Sequence, residues 1–183
     1  MADLRIVAKR PYAVSLRRAL PADATALAAL GRNSFVAKFG AMYCAQDLAL
    51  FLAQMHSDDV IVREIASPQA RYCLAERDGA LVGYCKLGLA CNWPEHARGH
   101  HAIELKQLYT APGATGGGIG GALVEWARAE AAALGADEVQ LSVWSGNSDA
   151  QRFYRRYGYA HVADTHFWVG EQRDDEFLFA RLI

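Results

Sequence analysis

The sequence predicts a mixed α/β domain, a mixed sheet with helices packed on it, and three observations carry the prediction. An Asp-Gly dipeptide, Asp78-Gly79, separates two apolar runs of strand character. Five glycines within the six positions 116–121 stand between an extended segment and a helical one. Across the second half the hydrophobic period switches from two to 3.6 and back. With 183 residues, 52% of them hydrophobic, the chain can fill one good-sized core and not two, so we expect one domain over 1–183.

The elements follow in order. Residues 13–18 read as a short opening strand, and Pro21-Ala22-Asp23 starts an Ala/Leu-rich helix to about Lys38. A second helical zone runs from about Gln46 to Ile65, with Leu48, Phe51, Leu52 and Met55 on one face. Arg71 to Glu76 and Ala80 to Leu89 are strands joined at Asp78-Gly79, where both turn positions suit positive φ. Residues 91–100 form a polar loop, and Ala102 to Thr110 is again a strand. After the glycines, Ile119, Ala122, Leu123, Trp126, Ala129 and Ala133 give the apolar stripe of a helix that Gly135 ends. Val139 to Trp144 is a strand and Asn147 to Tyr157 a helix. The tail offers strands at about Tyr159 to Val169 and Phe177 to Ile183, for a sheet of about seven strands.

Composition excludes several classes of function. Nineteen Lys+Arg against twenty Asp+Glu give a net charge of −1, so nothing global recruits nucleic acid or an anionic membrane, and we expect neither as a partner. No apolar run reaches the roughly 20 residues of a membrane-spanning helix, and the first residues lack the apolar block of a secretory signal, which predicts a cytoplasmic protein. Cys44, Cys73, Cys85 and Cys91 form no Cys-x-x-Cys pair and read as reduced thiols. His96, His100 and His101 lie close together but lack a zinc-type ligand pattern, so no metal is expected.

The glycine block is where chemistry enters. Bare backbone amides between a strand and a helix start can converge on one anion, with the helix dipole in support. A Walker loop would need Gly-Lys-Ser/Thr, and Gly120-Gly121-Ala122 supplies neither lysine nor hydroxyl. Gly116-x-Gly118-x-x-Gly121 formally satisfies the dinucleotide pattern. A five-residue insert nevertheless separates it from the strand, and the acidic residues downstream, Asp137 and Glu138, open the next strand instead of ending it. The remaining reading is a diphosphate of another carrier.

On that reading the chain resembles the GCN5-related N-acetyltransferases (GNAT family), whose motif runs from a strand through Gln/Arg-x-x-Gly-x-Gly/Ala into a helix. Here it is Thr115-Gly116-Gly117-Gly118-Ile119-Gly120, with Thr115 in place of the Gln or Arg. Leu108-Tyr109-Thr110-Ala111-Pro112 before it and Asn147 to Tyr159 after it extend the likeness. Gly83-Tyr84-x-Lys86-Leu87, Glu104-Leu105-x-x-Leu108-Tyr109 and His166 to Gly170 are similar to the bacterial PaiA-type polyamine acetyltransferases.

The resemblance implies a GNAT fold, with a central mostly antiparallel twisted sheet flanked by helices, and acetyl-CoA as co-substrate. Pyrophosphate would be held by Thr115, Gly116, Gly117, Gly118, Ile119, Gly120 and Gly121, and Leu108, Tyr109 and Thr110 would align the pantetheine and acetyl carbonyl where that strand splays from its neighbour. Asn147 would assist the pantetheine arm, and Tyr154 would give a proton to the departing sulfur, since a phenol stays protonated at neutral pH. The acceptor it implies is a small-molecule amine, a polyamine first, with an amino-sugar, an amino acid or a protein N-terminus as the next choices. A non-catalytic acyl-CoA sensor is the rival from another class, and a homodimer stays open.

Individual residues also have plainer readings. Ser148-x-x-Gln151 spells a capping box that makes Asn147 an ordinary turn residue, and Ala150, Phe153, Tyr154 and Tyr157 are spaced for core packing. An alkylamine is nearly all ammonium at pH 7, so a base is needed. Glu104 is the first candidate, and His100 and His101 are alternatives by their ordinary pKa. Trp93, Glu95, Phe35, Phe39 and Tyr43 are candidates for the acceptor pocket.

Overall fold

In the computed structural model, which describes residues 14–115 and 117–183, the Asp78-Gly79 signal is a two-residue hairpin turn. Asp78 (φ 52°) and Gly79 (φ 78°) both take positive φ, the geometry that matches the right-handed twist of the flanking strands. They join β2 (Ala70–Arg77) to β3 (Ala80–Gly88). The other strands are β1 (Ser15–Arg18), β4 (Ala102–Thr110), β5 (Glu138–Trp144), β6 (Ala160–Val169) and β7 (Gln172–Leu182). They form a sheet of seven strands, the number the sequence suggested, in the order β1-β2-β3-β4-β5-β7-β6. Every neighbouring pair is antiparallel except β4 and β5, which are joined by a crossover helix.

Both faces of the sheet are covered. On one lies the crossover helix α4 (Ile119–Ala133), whose Ile119, Leu123, Val124, Ala127 and Ala131 are buried against Cys73, Cys85, Leu87, Ile103, Val139 and Leu141. Fully burying such an aliphatic side chain contributes about 1.5–3 kcal/mol, so this stripe fixes α4 on the sheet. Helix α5 (Ser148–Arg156) packs beside it through Phe153, Tyr154 and Tyr157. On the other face α1 (Ala24–Phe39) buries Leu27, Ala28 and Leu30 against Leu74, Tyr72 and Tyr84, with Ile61 of α3 (Asp58–Ala66). Phe35, Phe51 and Val169 form a smaller aromatic cluster beside α2 (Ala45–His56).

Several boundaries differ from the sequence reading. Pro21–Asp23 is a 3-10 turn ahead of α1, not its first turn. The helical zone expected from Gln46 to Ile65 is two helices, because Ser57 is extended (φ −79°, ψ 154°) and turns the chain at once. The last strand begins at Gln172, five residues earlier than expected, since its charged start Gln172 to Glu176 hid a strand that pairs with β5 and β6. The opening strand begins at Ser15, and Ala13 lies outside the described residues. All four cysteines are free thiols. Among the described residues no helix is long and apolar enough to cross a membrane.

Two irregularities in β4 shape the site. Lys86 pairs with Gln107 and Leu87 with Leu105, so Lys106 is an extra residue, a β-bulge. The bulge reverses which side chains face α4: Ile103 and Leu105 point there before it and Leu108 after it, leaving Glu104, Gln107 and Tyr109 on the α1 side. The second irregularity is the short pairing with β5, which covers only Ala102, Ile103 and Glu104. Beyond Glu104 the two parallel strands separate, and the fork opens a cleft through the sheet.

Candidate active site

The cleft at the fork has a volume of about 970 Å³ and runs from the start of α4, between β4 and β5, to the space under α1 and α2. Every described residue of the sequence-predicted site lines it: Glu104, Leu108, Tyr109, Thr110, Thr115, Gly118, Ile119, Gly120, Gly121, Asn147 and Tyr154, with the exception of Gly117. Gly116 lies outside the described residues. Gly117 sits just beside the cleft, where its carbonyl accepts from the Arg77 guanidinium at 3.3 Å.

At the α4 end, Gly118 caps the helix in the left-handed conformation (φ 79°), which a glycine adopts without steric cost. The first bond within the helix runs from the Ala122 amide to the Gly118 carbonyl at 3.0 Å, so the amides of Ile119, Gly120 and Gly121 precede the ladder and have no acceptor in it. They point out of the N-terminus where the dipole favours negative charge. Gly121 has a packing reason as well: a Cβ there would lie 2.1 Å from the Tyr157 hydroxyl, so its hydrogen lets α5 approach α4.

In the middle of the fork, one edge of β4 is paired with β3 through Leu108, Tyr109 and Thr110, while the edge toward β5 is unpaired. Backbone groups of β4 there face the cleft instead of a strand. The Thr110 carbonyl is held by the Ser34 hydroxyl at 3.1 Å, which fixes the end of the strand to α1. Tyr154 projects from α5 into the same space. Its hydroxyl makes no hydrogen bond to a described residue, and burial pushes its pKa well above the ordinary 10.

Asn147, not Ser148, caps α5: its side-chain oxygen accepts from the Ala150 amide at 3.3 Å, and Gln151 reaches the Ser145 carbonyl at 2.8 Å. The capping box expected from Ser148-x-x-Gln151 is therefore not formed. The oxygen of Asn147 is used by the helix, so the amide NH2 is what this cleft-lining side chain has left to offer.

The other end of the cleft is acidic and aromatic. Glu104 (6% exposed) and Asp174 (7% exposed) form its floor with Glu176, under Phe35, Phe39, Tyr43, Phe51 and Phe167. Tyr43 donates to Asp174, whose other oxygen accepts from the Gln172 amide at 2.8 Å. Burial, then the Asp174 carboxylate, raises the Tyr43 phenol. Lys106 pairs with Glu104 at 3.0 Å, and Lys86 pairs with Glu64 of α3. Burial raises the Glu176 carboxyl above 4.5, and Asp174 and Glu104 add to the shift.

The acceptor-pocket expectation is thus corrected in part. Phe35, Phe39 and Tyr43 line the cleft, whereas the Trp93 indole bonds the Thr165 hydroxyl at 3.0 Å and Glu95 is exposed, with Asn92 as the loop's contribution. His100 and His101 are exposed at the opposite end of β4, their amides bound to Asp137, and do not reach the cleft. Tyr157 and Phe153, expected in the core, pack there and also line the cleft. Sequence reasoning missed Asp174 and Glu176. Their only signal was alternation, two acids two residues apart on one face of a strand. Among the described residues no cluster of His, Cys, Asp and Glu could hold a metal.

An anion cradle at a helix start, a forked parallel strand pair and a phenol over the fork are the parts of an acyl-transfer site. The chain belongs to the acetyltransferase (GNAT) family, whose model matches residues 39–159, and is by class an N-acetyltransferase. It is 26% identical over 155 residues to an uncharacterized N-acetyltransferase in the pepI 3′ region of Lactobacillus delbrueckii subsp. lactis, covering 85% of this chain and 89% of that protein. An aminoalkylphosphonate N-acetyltransferase of Salmonella typhimurium is 35% identical over 104 residues, 55% of this chain and 64% of that one. Among solved structures, the PaiA N-acetyltransferase of Thermoplasma acidophilum in complex with coenzyme A superposes with a TM-score of 0.76 at 22% identity, covering 93% of this chain and 99% of that one. At that identity the likeness is one of fold.

Proposed function

We propose that the protein transfers the acetyl group of acetyl-CoA to a primary amine of a small cationic compound, with a polyamine as the leading acceptor. The observation that carries the acceptor reading is the acidic floor formed by Glu104, Asp174 and Glu176 under aromatic walls at the end of the cleft away from α4. Carboxylates attract an ammonium, and aromatic faces add cation–π attraction.

The site fits coenzyme A on its own features. The amides of Ile119, Gly120 and Gly121, with Gly118 in its left-handed turn, suit the pyrophosphate, and Thr115 lines the same end of the cleft. The unpaired edge of β4 at Leu108 to Thr110 offers backbone groups to an extended pantetheine arm, and the free amide of Asn147 offers a donor from the opposite wall. When bound, acetyl-CoA supplies a thioester carbonyl open to attack by an amine.

This chain's residues do the rest. The floor carboxylates bind and orient the ammonium. A backbone amide of β4 at the fork donates to the carbonyl oxygen as negative charge grows on it. Tyr154, protonated through the whole neutral range, donates to sulfur as it leaves. Attack occurs directly, with both substrates held together.

The 35% identical aminoalkylphosphonate N-acetyltransferase favours a second reading, an amine that carries an acidic group. Lys38, which lines the cleft, is the residue that would meet it. A thiol-release assay with acetyl-CoA against polyamines, aminoalkylphosphonates, amino acids, aminoglycosides and peptides separates the two. Turnover that is fastest with a polyamine and falls with added salt supports the first reading, and preference for an anionic amine overturns it.

A further inference from the structure

We propose that Glu176, and not Glu104, takes the proton from the attacking ammonium, an inference that rests on the acetyl-transfer reading above. Glu104 is poorly placed for this work. It stands at the closed end of the fork, as the last residue of β4 paired with β5, and its charge is already balanced by Lys106 at 3.0 Å. Glu176 sits higher. It is opposite Trp144 on β5 in the β5–β7 register, at the level where β4 has moved away, and it lines the cleft. Its Oε2 is buried and has no hydrogen-bond partner among the described residues, an acceptor site that the fold leaves open. A buried carboxylate oxygen without a donor costs free energy, so its retention points to a donor that arrives with the substrate.

The groups facing it are few. Asp174 lies on its own strand, Glu104 and Tyr109 come from β4, and Tyr43 follows α1; its charge raises the phenols of Tyr43 and Tyr109, so it looks across the fork toward both. The nearby lysines, Lys106 and Lys86, are engaged with Glu104 and Glu64. Burial and the two neighbouring acids raise the carboxyl, and the hydroxyl of Ser142 offsets only part of that. A carboxylate displaced toward neutrality is a better proton acceptor than an ion-paired one.

The step balances. The ammonium gives one proton to the Glu176 carboxylate, and the freed lone pair forms the nitrogen–carbon bond as the carbon–sulfur bond breaks. Sulfur leaves with that electron pair and takes the phenolic proton of Tyr154. The nitrogen then sheds its second proton, which restores the phenol, and Glu176 releases the first proton to water.

Two measurements test it. The rate-against-pH profile of kcat/KM with a polyamine should lose its acidic limb in Glu176→Gln, with kcat down by about 10² to 10⁴. Glu176→Asp should shift the limb, and Glu104→Gln should raise KM while keeping it. Independently of turnover, carbon NMR of protein labelled at glutamate carboxyls and free of coenzyme A should show one carboxyl titrating above the ordinary glutamate value, moved or absent in the Glu176 variants. A folded Glu176→Gln enzyme that keeps the wild-type limb overturns the inference. So does a Glu176 carboxyl titrating at or below the ordinary value, a result obtainable on wild type, with Glu176→Asp for assignment, even where the Gln variant does not fold. Failure of the proposed function looks different: the wild-type protein then binds no coenzyme A or releases no thiol.

Discussion

Glu104 and Gln140 form the last pair between β4 and β5, and two residues farther along β4 the extra residue Lys106 reverses which side chains face α4. The fork and the bulge therefore act together: one opens the sheet, the other turns Tyr109 toward α1 and Leu108 toward α4. Deleting Lys106 should restore a regular ladder in which Leu105 and residues 107–110 keep their present partners and faces, so the core survives while β4 loses the bend that the bulge gives it and Glu104 loses its ion pair. We expect weakened coenzyme A binding by a protein that still folds, measured by calorimetry and circular dichroism. A deletion variant with wild-type affinity contradicts the role of the bulge.

Gly118→Val should weaken coenzyme A binding at least tenfold. A Cβ at this position meets nothing within 4 Å, so crowding inside the protein is not the cause. The cause is φ of 79°, which costs a side chain roughly 1–2 kcal/mol and more when β-branched, so the loop relaxes and the amides of Ile119 and Gly120 lose their aim. Isothermal titration with coenzyme A gives the affinity, and a wild-type value removes the cradle from Gly118.

Tyr154→Phe should lower kcat with little change in coenzyme A affinity, because the hydroxyl has no hydrogen bond to lose among the described residues while the ring keeps its packing on Phe153 and Tyr159. Stopped-flow thiol release together with calorimetry separates the two quantities. Undiminished turnover excludes Tyr154 as the donor to sulfur.

His56 should make the protein less stable toward acid. It is fully buried, neither ring nitrogen has a hydrogen-bond partner among the described residues, and burial followed by Lys86 and Arg32 lowers its pKa from 6.5 to about 4. A lowered histidine is stabilising while both states are neutral. As pH falls below 6.5 the unfolded chain takes up a proton that the folded one refuses, so stability drops across the window from 6.5 to about 4 by up to about 3 kcal/mol. Glu176, raised by burial, acts in the opposite sense, so the comparison must be with His56→Phe. Urea unfolding at several pH values should show a shallower acid slope in that variant, and equal slopes contradict the assignment.

Much of the fold was legible in local chemistry. Asp78-Gly79 tolerates positive φ and so announced the hairpin, the apolar stripe from Ile119 to Ala133 announced the crossover helix, and the glycine run announced the turn that opens it. What failed were breaks and strands without a strong period: Ser57 ends one helix by its backbone angles alone, and the charged start of β7 pairs only because β5 and β6 flank it.

The glycine turn and helix start from Gly117 to Gly121 are one continuous segment, so the order of residues by itself determined them: a helix start and its glycines carry their geometry with them. The acidic end of the cleft is not continuous. Glu104 comes from β4, Tyr43 from the turn after α1, and Asp174 and Glu176 from β7, and only the sheet order β4-β5-β7 brings their carboxylates to one floor. Turn and helix preferences act between neighbours along the chain, whereas the burial and mutual repulsion that raise Glu176 exist only once distant strands have paired.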